Sequence, residues 1–270
     1  MPRAPDPGRD RPRYREYAPA PDLAHLVRCF WHITANNAPP TLNRICPDGC
    51  ADIVVTGDGE ARAIGTMRSP MLMTVAGRVD IFGVRFQPGE ALAFFDLPLD
   101  TLTDGIAGMD DLGWRSGSTL GDQVASAGPS ALRVAIMERL LRARRAACRR
   151  GDTPAALRAA IRLLERRDGV GLQQVRNATG ASQRTLERQF REMVGLSPKA
   201  FGRVARFRRA LRDVHRHPRL PYAALAAEAG YADQAHFIRE FRSFAGITPA
   251  AYVREWCAVG FVQYGDPLAL

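Results

Sequence analysis

The sequence has no apolar run approaching the roughly 20 residues that a membrane span needs. Its opening stretch, MPRAPDPGRDRPRYREYAP, lacks the apolar core of a secretory signal. The chain is therefore expected to be cytoplasmic, with no membrane partner. Cysteine is scarce: five residues, at 29, 46, 50, 148 and 257, an odd number without framework spacing, which suits a reducing compartment. There is no Gly-rich phosphate loop and no GxSxG elbow, and no histidine lies between 33 and 214. Nothing reads as an enzyme site, and no cofactor is expected.

One cluster invites a thiol or metal reading: Cys46-Pro47-Asp48-Gly49-Cys50, with Cys29, His25 and His32 near in sequence. A four-ligand zinc site needs further ligands, and the next cysteine is 148. No metal-binding set is assigned. A sensor using Cys29, Cys46 and Cys50 stands as the alternative, beside a plain role for Cys46 and Cys50 in packing or a turn.

What the chain has in excess is positive charge, +10 formally, and its placement matters more than its sum. Residues 1–150 hold 19 arginines and 17 acids, whereas residues 151–258 hold 18 arginines, one lysine and 10 acids. Nearly all the excess thus sits on the second half, as an electrostatic footprint on phosphates requires. A non-specific basic nucleic-acid binder is the bland reading of the same charge.

That half carries a degenerate internal repeat. In 229–254, AGYADQAHFIREFRSFAGITPAAYVR, Gly230-Tyr231-Ala232 forms a tight turn and Asp233 an N-cap. Phe237 and Phe241 recur four residues apart and share a buried face. Gln234, Ala235, Ile238, Arg239 and Arg242 are left on the other. Gly246 closes the helix, and Thr248-Pro249 opens the next with a cap and a proline at the first helical position. The pattern occurs once before, at 172–203. Leu186, Arg188, Phe190, Gly195, Pro198, Phe201 and Arg203 match Phe237, Arg239, Phe241, Gly246, Pro249, Tyr252 and Arg254 at an offset of 51. In that copy the helix 182–193 buries Leu186, Phe190 and Met193.

On these residues, 155–256 resembles the DNA-binding domain of the AraC/XylS family of bacterial transcription regulators. The resemblance implies two helix-turn-helix units in one chain, each placing a reading helix in a major groove of double-stranded DNA. Matched to the family's reading helices, the base-facing set is Arg184, Glu187 and Arg188 in the first copy and Gln234, Ala235, His236 and Arg239 in the second. The outward faces add Gln183, Arg191 and Arg242 to the DNA-facing set. Chemistry supports part of this: arginine offers two parallel donors to guanine, glutamine pairs with adenine, and glutamate accepts from cytosine. For His236, packing or backbone contact is an equal alternative. The connecting helix, Phe201 to about Val214, spans roughly 20 Å, and its Arg203, Arg206, Arg208, Arg209 and Arg212 are divided among phosphates, Asp213 and water. An RNA polymerase surface, a small-molecule effector and a homodimer partner also belong to the implied role, and no motif marks them.

The first half reads differently. Residues 1–16 are rich in Pro, Arg and Asp and should be loosely ordered. The run 23–35 starts helically and turns strand-like. Short strands at Ile53–Val55, Met71–Val75 and Val79–Phe86 are set off by turn formers such as Pro47-Asp48-Gly49 and Gly57-Asp58-Gly59. From Gly89 the spacing is helical, and over 131–150 Leu132, Ile136, Leu140 and Leu141 form a stripe suited to packing or to a dimer. The stretches Pro47-Asp48-Gly49-Cys50-Ala51-Asp52 and Gly83-Val84-Arg85-Phe86 with Pro88-Gly89 resemble a domain that often precedes AraC-type helices, implying a β-rich sensory or assembly module. The expected class is α+β: tail 1–16, β-rich domain with helices 17–150, all-α domain of two helix-turn-helix units joined by a linker helix 151–258, and tail 259–270.

Overall fold

The structure, a computed structural model, describes residues 12–114, 117–148, 152–166 and 170–259. The first eleven residues of the expected N-terminal tail, residues 260–270 of the C-terminal one and the junction at Arg150-Gly151 lie outside them. The remainder of the N-terminal tail is a correction. Arg13–Tyr17 is a strand, β1, paired with Phe30–Thr34 and anchored by Tyr14 stacking on Trp31 at 6.2 Å between ring centroids.

Further strands are β2 (Val27–Ile45), β3 (Asp52–Thr56), β4 (Ala61–Ile64), β5 (Met71–Phe86) and β6 (Ile106–Gly108). They form one antiparallel sheet in the order β1-β2-β5-β3-β4-β6. β2 and β5 are longer than their sequence suggests. Pro39 and Pro40 remove two ladder donors from β2, but register shifts at Ala35/Ala38 and Ala38/Thr41 absorb the loss as irregularities and pairing resumes. Gly77, at φ +66, carries β5 past the same point opposite Ala38. The 23–35 run opens with turns rather than a helix.

The helical spacing expected after Gly89 is realised first as three short 3-10 turns, Ala91–Ala93, Leu99–Leu102 and Asp110–Leu112. Helices α1 (Gly117–Ala125) and α2 (Ser130–Ala147) follow. The stripe on α2 is rotated from the expected one. Arg133, Met137 and Leu141 are buried, while Leu132 is 50% exposed. The cause is electrostatic: Asp80 of β5 accepts from both Nη atoms of Arg133 at 2.6 and 2.9 Å, with His32 Nε2 2.9 Å from the same carboxylate. A buried guanidinium that must reach a carboxylate fixes the helix's rotation, and α2 packs on the sheet's main core.

The second half is helical: α3 (Ala155–Glu165), α4 (Leu172–Thr179), α5 (Gln183–Val194), α6 (Pro198–Arg216), α7 (Tyr222–Glu228), α8 (Gln234–Ala245) and α9 (Pro249–Val259). The linker helix α6 has 19 residues, about 28 Å at 1.5 Å per residue, longer than its expected start at Phe201 allowed.

The two halves share an interface built from the two N-terminal sequence motifs. Arg85 Nε lies 3.1 Å from Asp48 Oδ2 and its Nη2 lies 2.9 Å from Asp52 Oδ2, all three residues being buried. Burial raises the Asp52 carboxyl above the usual range. At Asp48 the same burial is outweighed by Arg85 and Arg208, which hold its carboxyl below that range. From this cluster the backbone carbonyl of Asp48 accepts from Arg208 of α6 at 3.2 Å. Gly49, at φ +78, leaves room for the Phe201 ring, which a Cβ would meet at 2.7 Å. Arg28 joins Glu165 of α3 at 3.1 Å.

Removing one partner of a buried ion cluster strands the others. Arg85→Ala is expected to cost about 3–5 kcal/mol in urea unfolding followed by tryptophan fluorescence, since Trp31 Nε1 donates to Asp52 at 3.2 Å. A loss under about 1 kcal/mol, the size of an exposed pair, would contradict the assignment.

Candidate nucleic-acid interface

Helices α5 and α8 are set by the same local devices. Ser182 Oγ accepts from Thr185 N and Asp233 Oδ1 from His236 N, at 3.1 and 2.6 Å, capping α5 and α8. Gly195 and Gly246, at φ +82 and +75, end them in the left-handed turn. Ser197 and Thr248 then cap α6 and α9 ahead of Pro198 and Pro249.

Inside, Leu186 and Phe190 of α5 and Phe237 and Phe241 of α8 are each at 0% exposure. Phe190 packs on Phe201, and Phe241 on Phe207, at 5.7 and 5.3 Å between centroids, so both α5 and α8 close their cores on the linker helix. Met193, expected in the first unit's core, is only half-buried and packs against both that core and the sheet's. Ile238, expected on the outer face, packs partly against the core.

Outside, Gln183, Arg184, Arg188 and Arg191 of α5 and Gln234, Ala235, Arg239 and Arg242 of α8 are exposed. Glu187 and His236 are half-buried. Glu187 accepts from Gln183 at 3.0 Å, and Arg188 lies 3.5 Å from Glu192 one turn on; such surface contacts are weak. His236 Nδ1 accepts from Ala232 N at 3.4 Å, and its ring stands edge-on to Tyr231 at 5.3 Å. Its first visible work is therefore to hold the turn.

The linker arginines are partitioned differently from expectation. Arg203 Nε, Arg206 Nε and Arg206 Nη2 all reach Glu240, at 2.7, 3.1 and 2.8 Å, and Glu240 is 4% exposed. Arg206 also lies over Tyr231 and Arg203 over Phe244, at 4.7 and 5.2 Å. Arg209 is buried against the carbonyls of Leu164 and Glu165, and Arg208 reaches the sheet domain. Sequence reasoning passed over Glu240, although a carboxylate on the buried side between Phe237 and Phe241 is itself the signal of a buried cation partner. It also missed Thr66 and Thr103. These donate to the carbonyls of Val194 and Gly195, the latter at 2.7 Å, and so tie the end of α5 to the sheet domain.

Residues 176–255 match the family model of a helix-turn-helix domain, and residues 15–107 that of a domain of unknown function (DUF6597). Among solved structures, a probable AraC family transcriptional regulator from Rhodopseudomonas palustris aligns at 24% identity over 37% of this chain and 96% of that one, with a TM-score of 0.33. ToxT from Vibrio cholerae aligns at 9% identity over 91% of this chain and 98% of that one, with a TM-score of 0.43. Comparison with curated proteins finds no match.

The far end of the linker carries a pH-sensitive group. His215 is buried, with Nε2 3.1 Å from the Tyr252 hydroxyl and Trp256 at 4.8 Å between centroids. Burial pushes its pKa down to about 4. A folded pKa below the unfolded value of about 6.5 means that the unfolded chain binds more protons between the two. Stability is therefore lost as pH falls through that window. The urea midpoint is expected to decline from pH 6.5 to 4, and His215→Gln to flatten part of that decline; an identical slope in the variant would refute it.

Proposed function

We propose, from the premise that residues 176–255 form a helix-turn-helix domain of the AraC type, that the chain is a sequence-specific transcription regulator. It places α5 and α8 in successive major grooves of double-stranded DNA. The observation that carries this reading is the sidedness of both helices, with phenylalanines at zero exposure on one face and arginines open on the other. Arg184, Glu187 and Arg188, then Gln234, Ala235 and Arg239, are the base-facing set, with His236 at the turn. Gln183, Arg191 and Arg242 flank them toward the phosphates.

The sheet domain is the candidate for effector sensing or for setting oligomeric state. Its Thr66 and Thr103 hold the carboxyl end of the first reading helix, so a rearrangement of the sheet reaches that helix through two hydrogen bonds. Contacts with a second copy and with RNA polymerase belong to the same reading. The thiol-responsive alternative finds no support. Cys29, Cys46 and Cys50 are buried, burial raises all three thiols, Cys46 and Cys50 to about 12, and thiolate is the reactive form. Among the described residues no group of three His, Cys, Asp or Glu is placed to hold a metal, and no helix is long and apolar enough to cross a membrane.

Selection of bound duplexes from a random pool should return a defined sequence with two conserved blocks. Arg188→Ala and Arg239→Ala should each relax preference in one block only, costing about 1–3 kcal/mol of discrimination there. Equal affinity for all duplexes at fixed salt would leave a non-specific basic binder instead.

A further inference from the structure

Between the two helix-turn-helix units lies a cleft of about 640 Å³. Lys199, Arg203, Arg206 and Arg209 line it against a single carboxylate, Glu240, and His236, aliphatic side chains and glycines complete the lining. Arg209 is held against the carbonyls of Leu164 and Glu165, and the other three cations against one carboxylate leave two positive charges in excess. A cleft lined mostly by one sign of charge raises the local concentration of anions.

The bonds to Glu240 occupy Arg203 Nε and Arg206 Nε and Nη2. The other guanidinium nitrogens of the pair and all of Lys199 are what the cleft offers to an anion. Lys199 is the chain's one lysine among 38 Lys and Arg residues. It is exposed, and among the described residues no carboxylate lies within ion-pair distance of it. A compact ammonium on a flexible stem serves phosphate as a point charge.

Position supplies the second argument. The cleft is bordered by Gly230 and His236, at the turn and first turn leading into α8, and by Gly171 and Leu172, where α4 begins. It therefore lies between the two units, bounded by the start of α4 in the first and the start of α8 in the second.

We infer that this cleft is a phosphate slot. Lys199, with the outer edges of Arg203 and Arg206, takes one phosphodiester of the strand crossing between the two grooves and so fixes the register of the two reading helices. The inference rests on the regulator reading and deepens it.

The test uses the full chain and a duplex recovered by selection, with single methylphosphonate linkages walked along each strand. One neutral linkage between the two conserved blocks should weaken wild-type binding by roughly three- to tenfold. Lys199→Gln should weaken binding to the unmodified duplex by a similar factor. It should lower the slope of log affinity against log salt by about one, with sequence preference unchanged. In that variant the same methylphosphonate should have little further effect, because the two changes remove one contact. Lys199→Arg should restore the slope, and Arg62→Gln, on the sheet domain, should leave it alone.

Wild-type affinity and slope in Lys199→Gln, or a methylphosphonate penalty undiminished by it, overturns the slot while sequence selection by the wild type stands. Inorganic phosphate that binds the wild type but not Lys199→Gln at matched ionic strength, with duplex affinity equal in both, makes the cleft a small-anion site and also overturns it. A wild type that selects no sequence, yet loses one unit of salt slope on Lys199→Gln, defeats the regulator reading and leaves the phosphate slot.

Discussion

The carboxylate of Glu240 is the constraint from which the arrangement of the helical half follows. It sits on the inner side of the second reading helix at 4% exposure, where an unpaired charge would cost several kcal/mol. Two arginines of the linker helix, three residues apart, close on it. Because both cations come from one rigid helix, the position of α8 along α6 and its rotation about its own axis are set together. Turning α8 to bury Arg239 would carry Glu240 and the two phenylalanines out with it. The exposure of the candidate base-facing edge is thus a consequence of what the opposite side must hold.

The first reading helix is fixed by different means. It has no such fork; its inner position equivalent to Glu240 is Gln189. Its carboxyl end is held by Thr66 and Thr103 of the sheet domain, and Met193 packs against both cores. The linker helix is gripped from the sheet side as well, through the carbonyl of Asp48 on Arg208 and the space at Gly49 filled by Phe201. Both helices pack on the linker, α8 being locked there through Glu240 and α5 being tied in addition to the sheet. The buried Asp48–Arg85–Asp52 cluster is where the two supports meet.

Much of the helical half was legible because its signals are local. Phenylalanines four residues apart, Ser or Asp before each reading helix, Gly after it and Pro at the next start each act within one turn, and an offset of 51 repeats most of them. The faces of α5 and α8 followed directly, apart from Ile238, Met193 and the half-buried Glu187 and His236. The sheet domain was legible in class but not in outline. Nothing local in Pro39-Pro40 says that β2 continues beyond it, because the continuation depends on pairing with residues 71–79, far along the chain. The face of α2 was misread for the same reason: Arg133 counts as polar until Asp80 is brought to it. Glu240 belongs here too, since its partners lie 34 and 37 residues away in the linker.

The central claim is that one chain holds two reading helices at a fixed separation through a linker of about 28 Å. A footprint of the one-to-one complex on a selected duplex, read by methylation protection at guanine N7, tests it most directly. The account predicts two protected major-groove tracts on one face of the duplex, about one helical turn or 34 Å apart. A single protected tract in the one-to-one complex, or a second tract that appears only when a second chain binds, would contradict it.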